Sequence, residues 1–96
     1  MDISTANNIP DCRFQTRIEE HLAYIDYKCR DNTIILVHTE VPAALEGKGV
    51  GSKLAKAALE FARQEGLRVS AECSFIASYI DRHPEYQPLL SDEASG

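Results

Sequence analysis

Long apolar runs are missing from this sequence, and no targeting pattern stands at its start. No stretch approaches the roughly eighteen consecutive apolar residues that a membrane-spanning helix needs. The first eight residues contain neither a basic cluster nor the apolar core of a secretory signal. We therefore expect a protein that does not contact membranes and that has a cytoplasmic, intracellular location.

Cysteine is scarce, and basic residues are outnumbered. The three cysteines, Cys12, Cys29 and Cys73, are widely spaced, form no Cys-x-x-Cys pair and have no histidine at metal-ligand spacing beside them. We therefore expect no metal site and interpret Cys12 and Cys29 as structural. Ten Lys and Arg against fifteen Asp and Glu give a net charge of −5. This balance argues against a general nucleic-acid binder, because that class needs a basic face.

The length and composition indicate one globular domain. The chain has 96 residues, without repeats or low-complexity tracts, and its 44% hydrophobic and 26% charged residues are close to globular averages. Residues 1–10 are polar and end in Pro10, which predicts a flexible leader. We expect a single domain over residues 11–90 and a flexible, acidic tail over residues 91–96.

The first part of the chain is typical of strands. Residues 13–18 and 22–30 are rich in strand formers and are joined by a short polar turn, which predicts an antiparallel hairpin. A third strand begins with the apolar run 33–37, as expected for a strand covered on both faces, and continues to residue 40. In that continuation, alternation places His38 and Glu40 on one face and Thr39 on the other.

The second part alternates helix, strand and helix. An amphipathic helix is predicted over residues 49–64 with Gly66 as its C-cap, and a strand follows over residues 67–73. Ser74 is the predicted N-cap of a second helix, which should end before Pro84. The order β-β-β-α-β-α predicts an α/β (α+β) fold, with a mixed sheet of about four to five strands and two helices.

A glycine-rich turn joins the third strand to the first helix. Gly47, Gly49 and Gly51 stand at alternate positions, so the backbone can curl tightly and bring its N–H groups close to a ligand. A helix that begins here adds unpaired donors and the positive end of its dipole. The pattern is typical of a phosphate cradle, although a plain strand-to-helix turn could use the same glycines. Neither a Walker loop nor a dinucleotide fingerprint fits, because Lys48 lacks the hydroxyl neighbour and the third glycine comes one residue early.

The turn and its surroundings resemble the GNAT acetyltransferase superfamily. The superfamily's pyrophosphate loop is Gln or Arg, two residues, Gly, any residue, then Gly or Ala, and the chain here has Glu46-Gly47-Lys48-Gly49-Val50-Gly51. A small, single-domain branch of that superfamily carries Glu at the first position. Its other matches here are His38-Thr39-Glu40-Val41-Pro42, Cys73, Tyr79-Ile80 and Arg82-His83-Pro84-Glu85-Tyr86. The resemblance covers roughly residues 13–90 and implies a minimal GNAT fold.

The resemblance implies acetyl-CoA, or coenzyme A, as a cosubstrate. In the superfamily the strand before the loop splays from its parallel neighbour, and the pantetheine arm lies in the opening. Backbone groups of residues 38–41 would then pair with the pantetheine amides, and N–H groups of residues 46–52 would hold the pyrophosphate. The implied cofactor-binding residues are Thr39, Glu40, Val41, Glu46, Gly47, Lys48, Gly49, Val50, Gly51 and Ser52.

Four residues are candidates for the chemistry, because acetyl transfer needs a proton acceptor for the amine and a polarised thioester. Glu40 is the best candidate general base, and His38 could relay the proton or simply bond a backbone carbonyl. Cys73 is matched in the family and precedes a helix whose N-terminus would lower its thiol pKa. It could accept the acetyl group, contact the thioester or stay inert. Tyr79 could protonate the leaving sulfur or be a core aromatic with a bonded hydroxyl.

The leading hypothesis is an acetyl-CoA-dependent N-acetyltransferase that works through a ternary complex. The superfamily's first helices are absent here, so the acceptor cleft should be open to a protein lysine, a polyamine or a small amine. The acidic composition favours a cationic acceptor. Two alternatives stay open, namely an acyl-CoA-binding module without turnover and a structural interaction domain. Both a monomer and a homodimer are compatible with the sequence.

Overall fold

The computed structural model describes residues 4–90. Its five strands form one mixed sheet, in which their spatial order is their order along the chain. The first three pairings are antiparallel and the last is parallel, which confirms the mixed sheet expected from the sequence. The strands are β1 Ala6–Asn8, β2 Arg13–Ile18, β3 His21–Arg30, β4 Thr33–Glu40 and β5 Arg68–Ala71.

Two α-helices follow the two parallel strands. Helix α1, Val50–Glu65, connects β4 to β5 and ends at Gly66, whose left-handed backbone confirms the predicted C-cap. Helix α2, Ser74–Arg82, follows β5. A single 3-10 turn, Ala43–Leu45, leads from β4 toward α1, and a longer 3-10 segment, Pro84–Leu89, follows α2. The helices and strands predicted for the minimal fold are therefore present in the expected order.

The hydrophobic core lies on one face of the sheet. Buried and half-buried residues alternate along β2, β3 and the first part of β4, so each of these strands buries one side. Buried side chains of both helices belong to the same core cluster as these strand residues. The opposite face is only half-buried, which differs from the expectation that the apolar run 33–37 is covered on both faces.

The N-terminal residues differ from the predicted flexible leader. Residues 6–8 form β1, which pairs with β2 at the edge of the sheet. Two side-chain contacts hold the segment: the Tyr27 hydroxyl donates to the Asn7 side-chain oxygen at 2.7 Å, and the Thr16 hydroxyl donates to the Ser4 carbonyl at 2.5 Å. These partners are distant in sequence, so the polar composition of the segment does not reveal them. Residues 91–96, predicted as a flexible tail, lie outside the described residues.

Two further expectations are corrected. Helix α2 begins at Ser74, so Cys73 rather than Ser74 occupies the N-cap position. Cys12 and Cys29 are exposed free thiols, so they are not buried structural residues. None of the helices within residues 4–90 combines the length and apolarity that crossing a membrane requires.

Candidate functional site

A β-bulge near the end of β4 decides which side chains reach the core face. Tyr27 pairs with Leu36 and Asp26 pairs with His38, so Val37 is an extra residue in the ladder. Beyond the bulge, Thr39 pairs with buried Ile25 and therefore lies on the core face. His38 and Glu40 lie on the opposite, half-buried face. The predicted alternation, with these two residues on one face and Thr39 on the other, is therefore present.

The bulge coincides with the point where β4 and β5 separate. Their parallel pairing ends at Leu36 and Ala71. The N–H groups of Glu72 and Cys73 then both donate to the Leu36 carbonyl, at 3.1 and 3.2 Å. Within residues 4–90, the last part of β4 pairs with β3 alone, so its β5 side is open. An extended ligand can add to such an edge through peptide hydrogen bonds.

The glycine turn leads directly into the N-terminus of α1. Gly47 has a φ of +80° and Gly49, the N-cap, has a φ of +76°, a left-handed conformation that favours glycine. A Cβ built on either residue meets no atom within 4 Å, so both positions border open space. No side chain caps α1 and no acidic residue stands in its first turn. The first-turn N–H groups are therefore available to an anion.

Gly51 serves a different purpose from the two glycines before it. A Cβ at this position would lie 2.9 Å from the tip of the Phe75 ring. The glycine therefore allows Phe75, in the first turn of α2, to pack directly on the first turn of α1. The N-termini of the two helices are brought together by this contact.

A cleft of about 580 Å³ lies between the open end of β4 and the two helix N-termini. This volume is in the range of small-molecule sites. The lining residues are Thr39, Glu40, Val41, Leu45, Glu46, Gly47, Gly49, Val50, Gly51, Ser52 and Phe75. Nine of these eleven residues were predicted from the sequence as cofactor-binding and Leu45 and Phe75 were not, and cofactor binding itself stays a prediction. Gly51 could have indicated a neighbour such as Phe75, because a glycine inside a helix can mark a place where another side chain packs against the helix backbone.

Lys48 was also predicted to bind the cofactor, but it is not among the residues that line the cleft. It is exposed within the glycine turn. Any contribution of its ammonium group to phosphate binding stays a prediction.

His38 and Glu40 form a pair at the cleft. The His38 Nε2 and Glu40 Oε1 atoms are 3.2 Å apart, and their side chains are 54% and 53% exposed. Glu40 lines the cleft, whereas His38 is not among the lining residues. The His38 ring lies near that of Tyr24, with the ring centroids 6.3 Å apart. The two side chains are therefore in contact with each other and within reach of solvent, and their roles as base and relay stay predictions.

Cys73 lies beside the cleft, on the core face. Its sulfur is 3.3 Å from the Thr39 hydroxyl oxygen. Burial on its own raises the pKa of the Cys73 thiol, but its interactions with the Thr39 hydroxyl and with the Ile76, Phe75 and Thr39 peptide groups outweigh this effect. The net pKa lies below the ordinary value for a thiol. This is the direction that the sequence predicted for a cysteine at a helix N-terminus.

Tyr79 is placed away from the cleft lining. It is 4% exposed, and its ring stacks on that of His83 with centroids 3.9 Å apart. Burial raises the pKa of its phenol, which makes it a weaker proton donor. Of the two alternatives that the sequence left open for Tyr79, the buried position agrees with a core aromatic. A role of Tyr79 as a general acid stays a prediction.

The fold and the cleft together define an acyltransferase-like architecture, in which a splayed parallel strand pair meets a glycine turn at a helix N-terminus. The family model described as GCN5-related N-acetyl-transferase matches residues 13–89. The chain belongs to this family.

Particular relatives agree with this assignment. The chain is 42% identical over 57 residues to Protein NATD1 of Xenopus tropicalis and 45% identical over 54 residues to Protein NATD1 of Homo sapiens. These matches cover 59% and 56% of the chain and 52% and 48% of the relatives, so the chain spans about half the length of the curated relatives it matches. An NMR structure of a GCN5-like candidate N-acetyltransferase from Staphylococcus aureus superimposes with a TM-score of 0.70 at 34% identity. That superposition covers 94% of this chain and 87% of the other.

Among the described residues, no group of three or more His, Cys, Asp and Glu side chains is arranged to hold a metal ion. The sequence prediction of a metal-free protein stays a prediction.

Proposed function

We propose that the protein is an acetyl-CoA-dependent N-acetyltransferase that transfers an acetyl group to an amine. The observation that carries the proposal is the cleft itself, where the open edge of β4 meets the uncapped N-terminus of α1. A linear thioester with a pyrophosphate at one end matches these two features. Its amide-bearing arm would add to the strand edge, and its phosphates would accept hydrogen bonds from the turn.

The glycine turn and the start of α1 offer space and hydrogen-bond donors to the pyrophosphate of coenzyme A. The two left-handed glycines leave space above the turn, and the peptide N–H groups of α1 supply donors without a competing carboxylate in the first turn. Thr39 and Val41 line the cleft beside the strand edge. When bound, acetyl-CoA supplies the activated acetyl group, and the protein supplies position and proton transfer.

Glu40 is the proposed general base. Transfer would form a bond between the neutral acceptor nitrogen and the acetyl carbon and break the carbon–sulfur bond, so that coenzyme A leaves as its thiolate and the nitrogen gives up a proton. The Glu40 carboxylate can accept that proton, because it lines the cleft and is half exposed. His38, 3.2 Å away, can pass the proton on to solvent.

The acceptor amine would approach Glu40 from the half-buried face of the sheet, where the helices and the core do not obstruct it. His38 and Glu40 both stand on this face, whereas the core packs against the other. A protein lysine, a polyamine or a small amine can reach Glu40 from there without crossing the core. The carboxylate would favour a cationic amine at that point.

The test is steady-state acetyl transfer to a panel of amines by the wild type, Glu40→Gln and Glu72→Gln. Glu72 is an exposed carboxylate just beyond β5 and serves as the matched control. We expect Glu40→Gln to lower kcat about 100-fold or more while the KM for acetyl-CoA changes little, since a general base contributes on that scale. We expect Glu72→Gln to behave like the wild type.

Two outcomes would contradict the proposal in different ways. Coenzyme A binding without transfer to any amine would support an acyl-CoA-binding module instead. Unchanged kcat in Glu40→Gln would show that another group accepts the proton. Mass spectrometry of protein incubated with acetyl-CoA alone would show whether Cys73 takes up an acetyl group.

A further inference from the structure

Thr39 and Cys73 are 34 residues apart in sequence, yet their side chains are in contact. The Cys73 sulfur lies 3.3 Å from the Thr39 Oγ1 atom. The contact depends on the bulge at Val37, because strict alternation from buried Leu36 would have turned the Thr39 side chain to the opposite face. The irregularity in β4 therefore serves to bring a hydroxyl group to the sulfur.

The other partners of the sulfur are peptide groups rather than charged side chains. Cys73 is the N-cap of the nine-residue helix α2, and the peptide groups of Ile76, Phe75 and Thr39 lower the pKa of its thiol. Charged groups on neighbouring elements lie elsewhere: His38 and Glu40 project from the opposite face of β4, and Glu72 is exposed. The hydroxyl of Thr39 is thus the one side-chain donor, among the described residues, that acts on this sulfur.

We propose that Thr39 is a positioning residue, whose hydroxyl fixes the Cys73 sulfur beside the cleft and stabilises its anionic form. Thr39 itself lines the cleft, so the sulfur is held one hydrogen bond away from the ligand space. A hydroxyl suits both states of the sulfur. It accepts the S–H of the neutral thiol, and it donates its own proton to the thiolate.

The sequence assigned Thr39 to cofactor binding through its backbone alone, so this side-chain role is additional. Its value for acetyl transfer rests on the proposed function, in which the sulfur attacks or contacts the thioester. The state of the thiol itself does not rest on that function and can be measured without any turnover.

The experiment measures the alkylation rate of Cys73 by iodoacetamide as a function of pH, in the full-length chain. Cys12 and Cys29 are exposed and outside the cleft, so both are replaced by Ser to leave a single thiol. Thr39→Val removes the hydroxyl at nearly constant shape, and Thr39→Ser keeps it. Thr33→Val, at the other end of β4, is the matched control.

We expect alkylation of Thr39→Val near neutral pH to be roughly fivefold to tenfold slower than that of the parent, on the scale of one charge-assisted hydrogen bond. Its rate profile should shift to higher pH, while Thr39→Ser and Thr33→Val follow the parent. Circular dichroism and urea unfolding report whether each variant is folded, and Thr39→Ala replaces Thr39→Val if the latter is not.

Identical profiles for Thr39→Val and the parent would overturn the proposal. Equal slowing in Thr39→Val and Thr39→Ser would also overturn it, because packing rather than the hydroxyl would then control the sulfur. A protein that shows the expected thiol profile but fails to bind coenzyme A would refute the proposed function and leave the role of Thr39 intact.

Discussion

Helices α1 and α2 lie side by side, and their two ends are built differently. At the N-terminal ends, which we call the cleft end, neither helix has a side-chain cap, and the turn before α1 is exposed. The one contact described between the helices there is that of Phe75 with Gly51. Peptide donors are left without side-chain caps where the cleft opens.

The C-terminal ends, which we call the braced end, are cross-linked by side chains. The buried Tyr86 hydroxyl donates to Glu60 of α1 at 2.7 Å, and Arg63 forms an ion pair with the same carboxylate at 3.4 Å. Arg63 also donates to the Glu85 carbonyl, and the His83 ring nitrogen bonds the Tyr79 carbonyl at 2.8 Å. The segment matching Arg82-His83-Pro84-Glu85-Tyr86 therefore ties α2 to α1.

The contrast indicates that one end of the helix pair stabilises the fold and that the other end is suited to binding. The braced end satisfies its polar groups internally and fixes how the helices pack. The cleft end leaves peptide donors exposed and is thus suited to an external anion. Changes at the braced end should reduce stability, and changes at the cleft end should reduce binding.

The largest stability effect is expected for Tyr86→Ala. Tyr86 is 2% exposed, so its loss leaves a cavity and removes the bond to Glu60. The free energy of unfolding in urea should fall by about 3 kcal/mol. Coenzyme A affinity of the protein that remains folded should be unchanged. A loss of coenzyme A affinity together with the loss of stability would contradict the separation of the two ends.

A smaller effect is expected for Tyr86→Phe, which keeps the ring and removes the hydroxyl. Unfolding free energy should fall by about 1.5 kcal/mol near neutral pH, on the scale of a hydrogen bond to a charged group. Burial, followed by the Glu60 carboxylate, raises the pKa of Tyr86 well above the ordinary tyrosine value of 10.0.

The raised pKa also sets the sign of a pH effect. Above pH 10 the unfolded tyrosine loses its proton while folded Tyr86 keeps it, so the unfolded state binds fewer protons and stability falls as pH rises. Urea unfolding from about pH 8 to about pH 11 should show a shallower loss in Tyr86→Phe than in the wild type. Tyr27 and Tyr79, whose pKa values burial also raises, are common to both proteins. Equal slopes in the two proteins would contradict the assignment.

Much of the fold could be predicted from local patterns. Period-two alternation marks the β2–β3 hairpin, and the apolar stripe and Gly66 mark α1, which begins and ends within one residue of the prediction. Six of the eleven residues that line the cleft belong to the glycine turn and the start of α1, because backbone freedom and helix starts are local properties, and their binding of a cofactor stays a prediction.

The remainder depends on contacts between residues distant in sequence. Nothing in the apolar run that contains Val37 marks it as a bulge, so the face on which Thr39 lies relative to the core could not be predicted. Strand β1 is held in part by bonds to Tyr27 and Gln15, which lie on other strands and are not revealed by the polar composition of β1 itself. The bond between Tyr86 and Glu60 joins residues 26 positions apart, which is why that motif had no role from sequence alone.

The central claim is that the cleft end binds coenzyme A, and calorimetric titration of coenzyme A into the wild type, Gly49→Glu and Gly66→Glu tests it most directly. Gly49 and Gly66 flank the two ends of α1, with φ of +76° and +70°, and a Cβ on either meets no atom within 4 Å. Both substitutions therefore impose similar strain and the same charge. We predict that the wild type and Gly66→Glu bind alike, while Gly49→Glu loses affinity by about 100-fold or more, because its carboxylate occupies the phosphate position. Equal binding by all three proteins, or no binding by the wild type, would contradict the account.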